Sequence, residues 1–304
     1  MEFVVIDVET ANADYSSICQ VGIASFRDSG LADTWESLVN PEDYFSPVNI
    51  SIHGIDEHMV QDSPTWRGVF PQINSRLRDE IVVSHSPFDR VAIERACERA
   101  DMAGCVCRWL DSVRVARIAW PELSISGFKL SSIADHFGIE FQAHDALEDA
   151  RCAGLLLLRA VEETGLSPEQ WLVQAERPIH SDRQMRYEGN AFPPQVKRCG
   201  NPSGRLCGEV VVFTGSLSIS REDAAEAAAD AGCRVDDGVT KHTTLLVVGD
   251  QDLRRLAGHD KSTKQRKAER LIDEGQHIRI IGESDFNRIV SRSEIAEDAE
   301  AQIR

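Results

Sequence analysis

Two acids stand at the head of the chain. Asp7 and Glu9 lie two residues apart in Phe3-Val-Val-Ile-Asp7-Val-Glu9-Thr10, an apolar run rich in β-branched residues. Such a run reads as a buried strand. On a strand both carboxylates leave the same face while Val8 points the other way. Burying two acids side by side costs several kcal/mol unless a cation lies between them, and a divalent metal is the simplest such cation. Taken alone, the pair reads equally well as solvated acids at a strand end.

Two later segments carry similar groups. Ser84-His85-Ser86-Pro87-Phe88-Asp89 puts Asp89 where a strand hands over to a helix, a place where an Asp by itself reads as an N-cap. His144-Asp145-Ala146-Leu147-Glu148-Asp149 puts His144 just before a long helix and Asp149 within its first two turns. Alone, His144 reads as a loop histidine, and Asp145 and Glu148 as first-turn acids favoured by the helix dipole.

Together, D-x-E, F-D and H-x-x-x-x-D, in this order and each at an element boundary, resemble the DEDD exonucleases with a histidine. That is the family of the epsilon proofreading subunit, RNase T and oligoribonuclease. The resemblance covers about residues 1–165 and implies an RNase H-like α/β domain, a mixed sheet with flanking helices. It implies two divalent metal ions, Mg²⁺ or Mn²⁺, held by Asp7, Glu9, Asp89 and Asp149. Asp7 would bridge both ions, Glu9 and Asp149 would support one, and Asp89 would act mainly through water on the other. His144 would be the general base, a task its unperturbed pKa of about 6.5 suits. Carboxylates fit because two hard cations neutralise charge on a phosphodiester and activate water. The implied reaction releases nucleoside 5′-monophosphates from a free 3′ end.

The substrate end follows from the same resemblance. Ile52-His53-Gly54-Ile55 is similar to the segment that borders the terminal nucleotide, and Thr10 follows the metal acids as it does in the family. Thr10, His53, Gly54, Ile55 and Phe88 are the expected substrate contacts. Phe88 would stack on a base, or serve as core. Ser86 departs from the family, many of whose members carry Asn there. Gly127-Phe128-Lys129-Leu130-Ser131-Ser132-Ile133 resembles the family's packing helix.

These residues need a scaffold. Ser17–Phe26 and Thr34–Asn40 alternate like two further strands of an antiparallel meander. A helix is expected from about Ser63, a short strand over Glu80–Ser84 and helices over Asp89–Arg99 and Val113–Ala119. Further helices are expected over Leu130–Phe137, ending at Gly138, and over Ala146–Glu163, closing near Gly165. Residues 166–203 hold five of the eleven prolines and read as a linker with a short helix near Glu169–Glu176.

A fresh α/β pattern spans 204–292. Gly208-Glu-Val-Val-Val-Phe-Thr214-Gly215, Ser220-Arg221, Leu245-Leu-Val-Val-Gly249, Lys264-x-x-Lys267-Ala268 and Ser284-Asp-Phe286 resemble a BRCT domain. The likeness is greatest to the single copy in NAD-dependent DNA ligases and in the clamp loader's large subunit. The family's usual tryptophan is absent, and Phe286 stands in that region. The resemblance implies a small domain with a four-stranded parallel sheet. Thr214, Gly215, Arg221 and Lys264 would form its phosphate-binding pocket. A 5′-phosphate on a DNA end or a phosphoprotein would fit there, and the ligase-like pattern favours DNA. The alternative is a solvated basic helix beside a Thr-Gly turn. Arg254, Arg255, Lys261, Lys264, Arg266, Lys267 and Arg270 make this the most basic stretch of the chain.

Composition bounds the rest. The 304 residues suffice for two domains, and 42% apolar with 27% charged is ordinary for a globular protein. No apolar run approaches the roughly 20 residues that span a bilayer, and no signal peptide is evident. No membrane association is expected, and the eight cysteines, without C-x-x-C or zinc spacing, read as reduced thiols of a cytoplasmic protein. Residues 1–165 carry a balance of −14 out of a total of −17, and the tail 293–304 carries −3 and reads as flexible. Such an acidic first half adheres weakly to long nucleic acid by itself. The expectation is therefore a 3′→5′ exonuclease acting on DNA, tethered at ends, nicks or gaps by its second domain. The alternatives are an exoribonuclease trimming short RNA and a non-catalytic scaffold that binds DNA ends or phosphoproteins.

Overall fold

The computed structural model describes residues 2–28, 30–124, 127–177, 196–215, 217, 219–249, 262–283 and 285–290. The chain divides into two units, Met1–Pro178 and Ile179–Arg304. The tail 293–304, linker residues 178–195 and Arg254, Arg255 and Lys261 lie outside the described residues.

The first unit is built on a five-stranded mixed sheet. Its strands are β1 (Glu2–Thr10), β2 (Ile18–Arg27), β3 (Gly30–Leu38), β4 (Ile81–Ser84) and β5 (Arg108–Asp111), in the order β3-β2-β1-β4-β5. The first three form the antiparallel meander that alternation predicts, while β4 and β5 run parallel to β1. Helices α1 (Pro47–His53), α2 (Glu57–Val60), α3 (Trp66–Leu77), α4 (Phe88–Arg99), α5 (Ser112–Ala119), α6 (Leu130–Phe137), α7 (Ala146–Thr164) and α8 (Pro168–Glu176) complete it.

Register explains how α7 meets the sheet. Asp7 pairs with Gly22 and Glu9 with Gln20, so these four share one sheet face with Phe3 and Phe26, whose rings stack 4.9 Å apart. Helix α7 lies across β1 and β2, presenting Ala146, Ala150, Ala153, Gly154 and Ala160 among its buried residues. Small side chains let the helix come close. A Cβ on Gly154 would fall 2.0 Å from the ring of Phe26. Leu156 and Leu157 of the same helix are buried, each stabilising the unit by about 1.5–3 kcal/mol.

Local differences from the sequence reading have local causes. Helix α3 starts at Trp66 rather than Ser63, because the Pro64 carbonyl accepts from the Asn40 amide at 2.9 Å and Thr65 bridges Asn40. The described residues of the expected linker are divided between the two units. Helix α8 opens on a Ser167–Gln170 capping box and buries Trp171, while Arg114 donates to the carbonyls of Ala175 and Arg177. Val196 and Leu206 are buried in the second unit, where Arg198 bridges Val235.

The second unit holds a four-stranded parallel sheet. Strands β6 (Val210–Thr214), β7 (Arg234–Asp236), β8 (Leu245–Val248) and β9 (Arg279–Gly282) lie in the order β7-β6-β8-β9. Helix α9 (Arg221–Asp230) lies between β6 and β7 and α10 (Thr263–Asp273) between β8 and β9, and residues 285–290, also helical, follow the last strand. Near-continuous apolar strands, such as Val210-Val-Val-Phe213, are what a sheet covered on both faces demands.

Candidate active site

Three elements bring the five expected residues to one end of the first sheet. Asp7 and Glu9 come from β1, whose register slips between Glu9 and Thr10. Such a bulge re-aims the strand end. Asp89 lies in the first turn of α4, buried, with Pro87 rather than itself as the N-cap. Its Oδ1 accepts from the Val8 amide at 3.0 Å, so it reaches across to β1 instead of capping its own helix.

His144 stands just before the N-cap of α7, and Asp149 lies in its first turn. His144 adopts φ 66°, a left-handed conformation unusual for histidine, and its amide donates to Asp149 Oδ2 at 3.0 Å. The intervening acids have separate jobs. Asp145 is the N-cap, its Oδ1 accepting from the Leu147 and Glu148 amides at 3.1 Å each. Glu148 pairs with Arg151 at 2.7 Å, which holds its carboxyl below the usual range. His144 Nδ1 stands 3.8 Å from Glu9 Oε1. Ligand atoms of Glu9, His144 and Asp149 all fall within 4.8 Å of one another.

Electrostatics tests whether a metal fits. Burial first, then the charges of Asp89, Asp149, Glu9 and Asp145, hold the Asp7 carboxyl well above its ordinary value. Burial likewise lifts Asp89 to about 7, against the hydrogen bond from Val8 and aided by Asp149 and Asp111. The charges that act on Asp7 are thus carboxylates. A hard oxygen-rich donor set with one imidazole, crowded until its acids resist ionisation, suits a divalent ion such as Mg²⁺ or Mn²⁺.

The expected substrate residues are placed more variously. Thr10 is buried, and its carbonyl accepts from Asn49 Nδ2 at 2.6 Å and contacts His53 Nε2 at 3.1 Å. His53 Nδ1 accepts from the Ile55 amide at 3.0 Å, so both ring nitrogens meet backbone. Gly54 is the exposed left-handed C-cap of α1, whereas Ile55 packs in a core cluster with Ala11, Cys19 and Val60. Phe88 is half-buried, with its ring edge-to-face with Tyr15 at 4.8 Å.

Sequence reading missed several residues that shape this end of the sheet. Asn49, on a short helix that its polar sequence hid, donates to Thr10 and, at 3.4 Å, to the Asn12 carbonyl. His85 closes the far side, with Nδ1 2.9 Å from Ser112 Oγ and Nε2 3.0 Å from the Phe128 carbonyl. Burial lowers its pKa to about 4, so it is neutral; the carbonyl can only accept, which assigns the proton to Nε2. Gln20 and Gly22 were visible only as strand residues.

In the second unit the four expected phosphate-site residues cluster at the C-terminal end of β6. Arg221 Nη2 donates to the Gly215 carbonyl at 2.6 Å and Lys264 Nζ to the Phe213 carbonyl at 2.9 Å. Thr214 Oγ1 donates to Ser262 Oγ at 2.8 Å. Burial, then the neighbouring Arg221, depresses the Lys264 pKa, so two cations share one partly buried place. Phe286 is buried edge-to-face against Phe213 at 5.1 Å.

Residues 4–157 match the RNase T exonuclease family. The chain belongs to that exonuclease family, and the match lies within its first unit. Among curated proteins, it is 30% identical over 164 residues to a PolC-type DNA polymerase III of Oceanobacillus iheyensis, covering 53% of this chain and 11% of that protein. It is 27% identical over 190 residues to the 3′-5′ exonuclease DinG of Staphylococcus aureus, covering 61% and 21%. The chain therefore spans between about a tenth and a fifth of the length of these relatives. Solved structures include exonuclease X with 5′-overhanging duplex DNA, at TM-score 0.47 and 22% identity over 57% of this chain and 99% of that one. The nuclease domain of 3′hExo bound to rAMP gives TM-score 0.47 and 16% identity over 54% and 92%. Among the described residues no helix is long and apolar enough to cross a membrane.

Proposed function

We propose that the chain is a metal-dependent 3′→5′ exonuclease that releases nucleoside 5′-monophosphates from DNA. The observation that carries this is the convergence of Asp7, Glu9, Asp89 and Asp149 with His144 beside Glu9, acids crowded so closely that a divalent cation among them would relieve their repulsion. Asp7, Glu9, Asp89 and Asp149 would hold Mg²⁺ or Mn²⁺, which supplies charge neutralisation at the phosphodiester. His144 takes the proton of the attacking water, and Glu9, 3.8 Å from Nδ1, stabilises the imidazolium that forms. Asp145 keeps His144 and Asp149 in register by capping α7. Thr10 and Gly54 border the terminal nucleotide, while His53 and Ile55 hold that wall from behind and Phe88 flanks Asp89.

DNA as substrate is supported by the name of one curated relative, a PolC-type DNA polymerase III. The second unit, read as a BRCT domain, supplies the grip that the acidic first half lacks, with Thr214, Gly215, Arg221 and Lys264 on a 5′-phosphate. The test is a panel of labelled DNA and RNA oligomers incubated with Mg²⁺, Mn²⁺ or EDTA. Stepwise 5′-mononucleotide release from DNA, abolished by EDTA, is expected. Preferential release from RNA would reassign the substrate, and internal cuts or no cleavage with either metal would overturn the reading.

A further inference from the structure

We propose that Gln20 is a positioning residue of this centre: together with Gly22 it fixes where the first turn of α7 sits. It thereby sets how far His144 and Asp149 stand from Glu9 and Asp7. The proposal rests on the reading of those residues as a divalent-metal centre.

Gln20 is buried on β2 directly opposite Glu9, and its Oε1 accepts from the Ala146 amide at 3.2 Å, 126 residues away. The first amides of a helix have no partner within it. Asp145 supplies acceptors for Leu147 and Glu148 from inside the turn. Gln20 supplies one for Ala146 from the sheet, so this bond ties the helix end to the strand pair that carries the acids. Gly22 acts as the matching stop. A Cβ there would lie 2.2 Å from the Ala146 carbonyl carbon and the Leu147 nitrogen, so the turn rests on bare β2 backbone opposite Asp7.

The two contacts restrain the turn in different senses, one drawing it to the sheet and one limiting its approach. Because the His144 amide is bonded to Asp149 Oδ2, both side chains follow that turn as one body. A shift of about 1 Å in such a constellation costs on the order of 10²-fold in rate, so a single sheet-to-helix hydrogen bond has leverage here.

Gln20→Met keeps length and bulk but removes the acceptor. Gln20→Glu restores an acceptor at a helix N-terminus, where negative charge is favoured. In the full chain, Mn²⁺ affinity is read by electron paramagnetic resonance of free Mn²⁺, alongside kcat and KM on a DNA oligomer and the thermal midpoint. Gln20→Met is expected to weaken Mn²⁺ binding and lower kcat about tenfold each, with KM nearly unchanged. Gln20→Glu is expected to recover most of both. Parent-like Mn²⁺ affinity and kcat in Gln20→Met, or equal defects in both variants, would overturn the assignment. A parent chain that binds Mn²⁺ but cuts nothing sinks the exonuclease reading, while the variants' Mn²⁺ affinities still decide Gln20. A parent chain that binds no Mn²⁺ overturns both.

Discussion

The amide of Val8 donates to Asp89 Oδ1, so the residue that separates Asp7 from Glu9 is held by an acid on another element. The paired stretch of β1 and β4 runs through Val4–Val82 and Val5–Val83, and Asp89 takes over at Val8 beyond it. One carboxylate thus extends the sheet and crowds the site together.

That double duty has a pH signature. The Asp89 carboxyl sits at about 7 in the folded chain, chiefly through burial, against an ordinary 3.8. Between those values the folded state binds more protons than the unfolded one, so metal-free stability falls as pH rises from about 4 to 7. Asp89→Asn keeps an acceptor for Val8 and removes the charge. Urea unfolding in EDTA at pH 5 and pH 7.5 should show the parent losing roughly 2–3 kcal/mol more than the variant. Parallel losses would contradict the crowding.

Asp7 is expected to trade stability for metal. Because burial and neighbouring carboxylates hold its acid up, Asp7→Asn should raise the thermal midpoint in EDTA. The same variant should lose the stabilisation that Mn²⁺ gives the parent and cut DNA about 10³-fold more slowly or worse. A variant less stable than the parent without metal would show that Asp7 is not crowded.

His85 is tied at both nitrogens to Ser112 and Phe128 and lowered to about 4 by burial. The unfolded imidazole titrates near 6.5, so this group contributes stability above that pH and loses it as pH falls towards 4. Nitrogen-detected NMR should find the ring neutral at pH 6 with the proton on Nε2. A midpoint near 6.5 would contradict that environment.

Trp171 is fully buried on α8, the short helix expected inside the proline-containing segment 166–203. Trp171→Ala should destabilise the first unit by about 3–5 kcal/mol in denaturant melts. A fragment ending at residue 165 should melt well below one ending at 177. Equal midpoints would mean that α8 is dispensable.

Arg221 and Lys264 lie against carbonyls at the end of β6, close enough for one to depress the other. Replacing both with Gln should weaken binding to a 5′-phosphorylated duplex end about tenfold or more and flatten its salt dependence. Cleavage of short oligomers should be unchanged. If unphosphorylated ends lose as much, the pocket does not read the phosphate.

The parts of the site that sequence made legible are those whose physics is local. Alternation put Asp7 and Glu9 on one face, and spacing put His144 just before a long helix with Asp149 in its first two turns. Gly138 and Gly165 ended their helices in the left-handed region at φ 67° and 71°. What escaped was either short or distant. Strand β5 offers only Trp109 and Leu110 as apolar residues, β7 is three residues long, and α1 buries Asn49 and Ser51 beside a single apolar residue, Val48. The link from Gln20 to Ala146 exists only once the sheet and α7 have met. The BRCT resemblance rests on short pieces, and the structure adds a four-stranded parallel sheet beneath them.

Helix α8 also sets an order in time. It packs against β5 and α5, yet Trp171 is translated after Asp149, the last of the five acid and imidazole residues. At about 5–20 residues per second, the two leave the ribosome roughly one to a few seconds apart. During that interval the nascent chain carries every group of its centre but lacks the helix on its outer strand.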